Sequence, residues 1–180
     1  RYWKHGLAVA ILSRELGSKV LTDKEELDSC YLAGLVHDIG LLVYDYLVPE
    51  QFDQFLATTD FNDPDQPLEM LEKNFFGISH SEVGAAYLKE WWPVSPKVVE
   101  ATEAHGGPGL EKDQTPNLAR VISTANRIAN RYGLDHPFET GLHQAADESY
   151  LEALKMSREE MDELVDWAQI GVLAAESVLE

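Results

Sequence analysis

The chain has 180 residues, 44% of them hydrophobic, which suits one domain with a real core. Its 32 acidic against 14 basic residues give a net charge of −18, a balance that disfavours nucleic-acid backbones and anionic lipid and makes cations the natural guests. A single cysteine, Cys30, excludes a disulfide framework or a Cys-based zinc site within one chain, and RYWKHG at the start lacks the pattern of a signal peptide. No apolar run is read as approaching the roughly 20 residues of a membrane span, so the expectation is a soluble, cytoplasmic protein with no nucleic-acid or membrane partner.

From Trp3 to Leu16 the apolar residues Trp3, Leu7, Ala8, Ala10 and Ile11 form a helical stripe that Gly17 is positioned to stop. Thr22 with Glu25 has capping-box spacing and opens a helix through Leu27, Tyr31 and Leu35 into His37 and Asp38. Pro49 starts a short helix, and TTDFNDPDQP (58–67) reads as a loop. Ser79 with Glu82 opens a helix through Val83, Ala86, Tyr87 and Trp91 that ends before Pro93. Ser95-Pro96 opens another to about His105, closed by Gly106-Gly107-Pro108. Thr115-Pro116 leads the helix that Gly133 stops after Tyr132, and Ser157 with Glu160 opens the last. Residues 134–146 form a second irregular stretch, and strand-like alternation is absent. The expected fold is all-α, a bundle of roughly seven to nine helices in one domain over 1–180. The ten acids of 147–180 are interleaved with apolar residues and read as the solvated face of terminal helices.

Six histidines punctuate this pattern. His5, His37, His80 and His105 each lie on or at the end of a different predicted helix among apolar residues, whereas His136 and His143 lie in a loop. One such histidine is ordinarily a hydrogen-bonded core residue. Four of them with an adjacent Asp38 instead suggest helices converging on a cation, because neutral imidazole and carboxylate are a common ligand pair. Adjacent residues of a regular helix point about 100° apart, so His37 and Asp38 can share an ion only where the helix ends or distorts; Gly40 is read as the source of that freedom. A closed hydrogen-bond network is the other way to satisfy two polar residues inside AGLVHDIGLLVYDYL.

Four segments, YWKHGLAVAILSREL, LAGLVHDIGLLV, FFGISHSEVGAAYLKEWW and VVEATEAHGGP, resemble in order the motifs of the HDOD domain, the bacterial signalling branch of the HD superfamily. The similarity runs from about Trp3 to Tyr132 and implies an all-α, HD-domain-like multi-helix bundle, and the acidic C-terminal helices also suit the family. HDOD domains typically carry helices before the WKH motif, so a front portion of the domain is expected outside this sequence. The resemblance implies metal ligation at His5, His37 and Asp38, with Asn126 aligned to a final aspartate. In the two-metal HD-GYP phosphodiesterases further ligands match His80, His105 and a second histidine, where Gly106 stands here. The lysine that follows HDIG in that group is Leu41, a glutamate ligand aligns with Arg1, and the GYP signature is missing.

The leading expectation is therefore a regulatory HDOD domain, non-catalytic or weakly catalytic. His5, His37, Asp38, His80, His105 and Asn126 would hold at most one or two divalent ions (iron, manganese or zinc) or form a vestigial polar cluster. Its implied partners are regulatory proteins or fused sensory domains, with homo-oligomerisation open. The rival is a metal-dependent phosphohydrolase or cyclic-nucleotide phosphodiesterase, in which His37 and Asp38 would be catalytic, Asp38 would bridge two ions, and Arg120 and Arg127 would face the anion. A third reading is a metal-free interaction protein presenting Trp91 and Trp92, although paired tryptophans before a proline are expected to be core anchors.

Overall fold

A computed structural model describes residues 2–61, 66–134 and 149–179. Among these residues there are ten helices and no strand: α1 (Tyr2–Val20), α2 (Lys24–Val36), α3 (Ile39–Leu47), α4 (Pro49–Thr58), α5 (Leu68–Phe76), α6 (His80–Trp91), α7 (Pro96–Ala104), α8 (Leu118–Arg131), α9 (Ser149–Leu154) and α10 (Arg158–Leu179). Arg1, His136 and His143 lie outside the described residues.

Helix α1 is the axis of the fold. Ala8, Val9, Ala10, Leu12 and Leu16 have no exposure, because α2, α8 and α10 pack on different sides of it. Gly17 does not end this helix, contrary to expectation. A β-carbon there would lie 2.4 Å from Cys30 Sγ, and one on Gly34 would lie 2.7 Å from the Ala10 Cα, so Gly17 makes room for the Cys30 side chain and Gly34 lets α2 approach the backbone of α1. The cap of α2 is Asp23, whose carboxylate accepts from the Glu26 amide at 3.0 Å, rather than Thr22. Asn117 likewise caps α8 in place of Thr115-Pro116. Gly133 does end α8, in the left-handed conformation at φ 69°. The predicted capping boxes at Ser79/Glu82 and Ser157/Glu160 both form.

The run expected to be one helix into His37-Asp38 breaks there into α2 and α3. Leu35 and Leu42 consequently point outward, while Val36 and Leu41 are buried. By length and composition, Lys24–Leu47 is the one described stretch that suits a membrane span, but it is two helices and 56% of its apolar 18-residue portion is buried inside the fold. Gly40 acts by size, not by conformational freedom: its φ is not positive, and a β-carbon would stand 1.9 Å from the His80 carbonyl oxygen. The start of α3 thus lies directly on the start of α6.

A second, aromatic core holds α3, α4 and α5 together through Leu41, Tyr44, Phe52, Phe55 and Leu68. Tyr44 stacks on Phe76 at 4.4 Å and donates to the Ile78 carbonyl at 2.6 Å, which fixes α5 against the entry to α6. Helices α5 and α9 were not anticipated, and with the break into α2 and α3 they bring the seven helices marked out in the sequence to ten among the described residues. The C-terminal α10 returns along α1, burying Met161, Val165 and Ala168 and leaving Asp162, Glu163 and Asp166 in solvent. The tryptophan pair is not a core anchor: Trp91 is 72% and Trp92 41% exposed, since α6 ends as it leaves the bundle.

Candidate metal centre

Three helix termini and one helix interior deliver the four histidines to a single point. His37 and His105 use the same device. Each is the residue just past its helix, α2 or α7, and each turns its Nδ1–H onto the carbonyl three residues back, Gly34 at 2.8 Å and Thr102 at 2.7 Å. Those carbonyls are available because the last turn of a helix has no following amides to occupy them. His5, within α1, donates Nδ1–H to the Leu134 carbonyl at 3.1 Å. The Gly133 turn presents that oxygen, with the Leu134 amide bound back to the Ala129 carbonyl at 2.8 Å. His80, the first residue of α6, gives both its backbone N–H (2.8 Å) and its Nδ1–H (2.6 Å) to Glu72 Oε2.

With Nδ1 committed as donor on each ring, the four Nε2 atoms point inward, and each ring offers a lone pair there when it is neutral. All four reach toward Asp38: His37 at 3.2 Å and His5 at 3.8 Å from Oδ2, His105 at 3.3 Å and His80 at 3.4 Å from Oδ1. Two triads result, His5-His37-Asp38 and Asp38-His80-His105, each with ligand atoms within 4.8 Å of one another. The four histidines are buried and the Asp38 side chain is 13% exposed. Asn126 also arrives, its Oδ1 lying 2.9 Å from His5 Nε2 and accepting from Asn130 at 3.2 Å. The six candidate ligands read from the sequence, His5, His37, Asp38, His80, His105 and Asn126, therefore lie in one cluster.

The donor set fits a divalent cation. His37 Nε2 is fully buried and has no hydrogen-bond partner, and His80 Nε2 and His105 Nε2 face each other at 3.2 Å, where two lone pairs repel unless a proton or a cation lies between. Burial pulls the His80 pKa down, but hydrogen bonds and charge from Asp38 and Glu72 on its two sides outweigh this and hold it well above the ordinary histidine range. Imidazole nitrogen with carboxylate oxygen is the chemistry of zinc, iron and manganese sites.

Glu72 was missed by the sequence reading. The available signal was a carboxylate in line with Leu68 and Phe76, four residues to either side on the apolar face of α5. Glu69 was missed as well; it accepts from the Ser81 hydroxyl, and its carboxylate fills the space beside Gly106, where a β-carbon would come within 2.6 Å of it. The expected anion-facing arginines are otherwise engaged, Arg120 donating to the Gly109 carbonyl at 3.2 Å and Arg127 to the Gly107 carbonyl at 3.3 Å. Leu41 is locked in the aromatic core.

Comparison with known proteins gives the family and the fold. The HDOD domain family matches residues 1–108. Among solved structures the chain is similar to an HDOD domain protein with unknown function from Geobacter sulfurreducens, at TM-score 0.66 and 19% identity over 97% of this chain and 60% of that one. It is similar to a protein provisionally named a signal transduction protein from Marinobacter aquaeolei VT8, at TM-score 0.72 and 20% identity over 97% and 38% of the two chains. A third, provisionally named a phosphohydrolase, comes from Shewanella amazonensis SB2B, with TM-score 0.60 and 22% identity over 95% and 60%. These likenesses establish a shared fold, and the chain spans between 38% and 60% of the length of those three structures. No curated protein matches.

Proposed function

This chain belongs to the HDOD domain family, and on that premise we propose that it serves as a signalling or regulatory domain of a bacterial cytoplasmic protein, non-catalytic or weakly catalytic. In this reading its core holds one or two divalent ions, and its output passes to regulatory protein partners or fused sensory domains. One observation carries the reading: the centre is buried. Four buried histidines and a carboxylate with 13% exposure converge on one another, each outer ring nitrogen already bonded. Each triad of three protein ligands leaves a bound ion a position for water, but burial on this scale gives a bulky phosphodiester little access to it. The engagement of Arg120 and Arg127 by loop carbonyls supports the same conclusion, because phosphoryl chemistry needs a cation aimed at the anion.

A bound ion would supply the positive charge that satisfies Asp38 and the inward nitrogens. His5, His37, His80 and His105 would then tie α1, α2, α6 and α7 to one point, so that occupancy stabilises the arrangement of the bundle as a whole. Such a centre suits a domain whose task is to hold or change shape. The test is turnover: protein loaded with manganese, iron or zinc is offered a cyclic dinucleotide and a simple aryl phosphodiester. Hydrolysis no faster than with the free metal is expected, and sustained turnover abolished by Asp38→Asn would overturn the non-catalytic assignment.

One feature favours the rival phosphohydrolase reading. Asp38 belongs to both triads, as a carboxylate bridging two ions would. The turnover assay separates the two readings directly.

A further inference from the structure

Glu72 is the one carboxylate among the described residues that is fully buried, with 0% exposure. Its Oε2 takes both hydrogen bonds from His80, and its Oε1 has no hydrogen-bond partner. The adjacent base, Lys73, is turned away to Glu82 at 3.2 Å. Burying a carboxylate with one oxygen unsatisfied is costly unless positive charge lies close by. Across the His80 ring, 3.2 Å from His105 Nε2 and 3.4 Å from Asp38 Oδ1, is the inward nitrogen of the second triad.

The two triads are therefore unequal. His5 and His37 donate Nδ1–H to neutral carbonyls, and Asn126, a polar group beside His5, is a neutral amide. His105 also leans on a carbonyl, so among the described residues His80 is the one ring of the four whose Nδ1–H is accepted by a carboxylate. A carboxylate accepting from Nδ1 fixes the tautomer and makes Nε2 a stronger donor to a cation.

Building on the metal-holding reading proposed above, we infer that Glu72 is a positioning residue that acts through His80, and that it makes Asp38-His80-His105 the tighter of the two subsites. The first equivalent of a divalent cation enters there, and His5-His37-Asp38 fills second or stays empty. The simpler role for Glu72 is a cap for the first amide of α6, which an uncharged side chain would perform equally well.

Cobalt(II) titration of the full chain, followed by its visible absorption, distinguishes the two roles. Glu72→Gln keeps the shape and an acceptor oxygen but removes the charge, so it should weaken the tight cobalt site about 10- to 100-fold while leaving apo thermal stability equal or higher. Glu72→Asp should restore part of that affinity. His105→Ala should abolish the tight equivalent and His5→Ala should keep it, a comparison that stands even if Glu72→Gln fails to fold. Unchanged cobalt affinity in Glu72→Gln with a less stable apo protein, or loss of the tight site in His5→Ala with retention in His105→Ala, would overturn the inference and leave the metal reading standing. Failure of the unaltered protein to take up cobalt would overturn both.

Discussion

Replacing Gly40 with alanine probes the contact that sets the whole centre. The new β-carbon would stand 1.9 Å from the His80 carbonyl oxygen, 2.7 Å from its carbon and 2.9 Å from its Cα. All three obstacles are backbone, so no side-chain rotation relieves them. Ordinary contact begins at 3.4 Å, so the starts of α3 and α6 must part by about 1.5 Å. Overpacking a rigid contact costs ~1–3 kcal/mol, and an obstacle made only of backbone belongs at the upper end. For a domain of this size that is a drop in melting temperature of about 6–12 °C. The separation also carries Asp38 away from His80 and His105, beyond the ~0.2 Å tolerance of a metal site, so metal retention should fall with stability. Thermal denaturation read beside metal content checks both effects. A Gly40→Ala protein within about 1 kcal/mol of the original and equally metallated would refute the close-approach account and restore Gly40 to a merely flexible role.

Other outcomes are expected. His37→Ala should strip bound metal and remove the stability that metal contributes, because a ligand held only by the folded state stabilises it; unchanged metal content would rule out the ligand set. Trp92→Ala should change thermal stability by less than about 1 kcal/mol, the side chain being 41% exposed, and a collapse would show that it packs after all. The Tyr132 phenol is pushed up to about 12 by burial and by its hydrogen bond to Asp162 at 2.7 Å. Because the folded value lies above the unfolded one near 10, its contribution is complete below pH 10 and is lost as the pH rises toward 12. Tyr132→Phe should flatten part of that alkaline decline in denaturation midpoints, and an identical decline in the variant would contradict the assignment.

The sequence displayed the ends of helices better than their contacts. Ser79/Glu82, Ser157/Glu160 and Gly133 act through local hydrogen bonds or a local backbone conformation, and each lies where its spacing placed it. Gly17 and Gly40 were misread for the opposite reason. Their role depends on the Cys30 side chain and the His80 backbone, and no local pattern reveals which distant group will press against a glycine. The histidines were legible because polar residues at the ends of apolar helices need a common explanation, and His5, His37, His80 and His105 share one centre with Asp38. Glu72 was not, since a glutamate in an unpredicted nine-residue helix looks like any surface acid until the Tyr44-Phe76 stack is seen to press that face inward. Trp91 and Trp92 show how composition misleads at a helix end, where the chain leaves the bundle before their rings can be buried.

The most direct test of the central claim is the metal content of protein purified without chelator, measured by plasma mass spectrometry. The arrangement of four inward imidazoles around Asp38 predicts about one to two equivalents of iron, manganese or zinc, lost in Asp38→Asn. Protein that is folded, free of metal and unable to take it up on addition would contradict the account and leave the five residues as a hydrogen-bonded cluster.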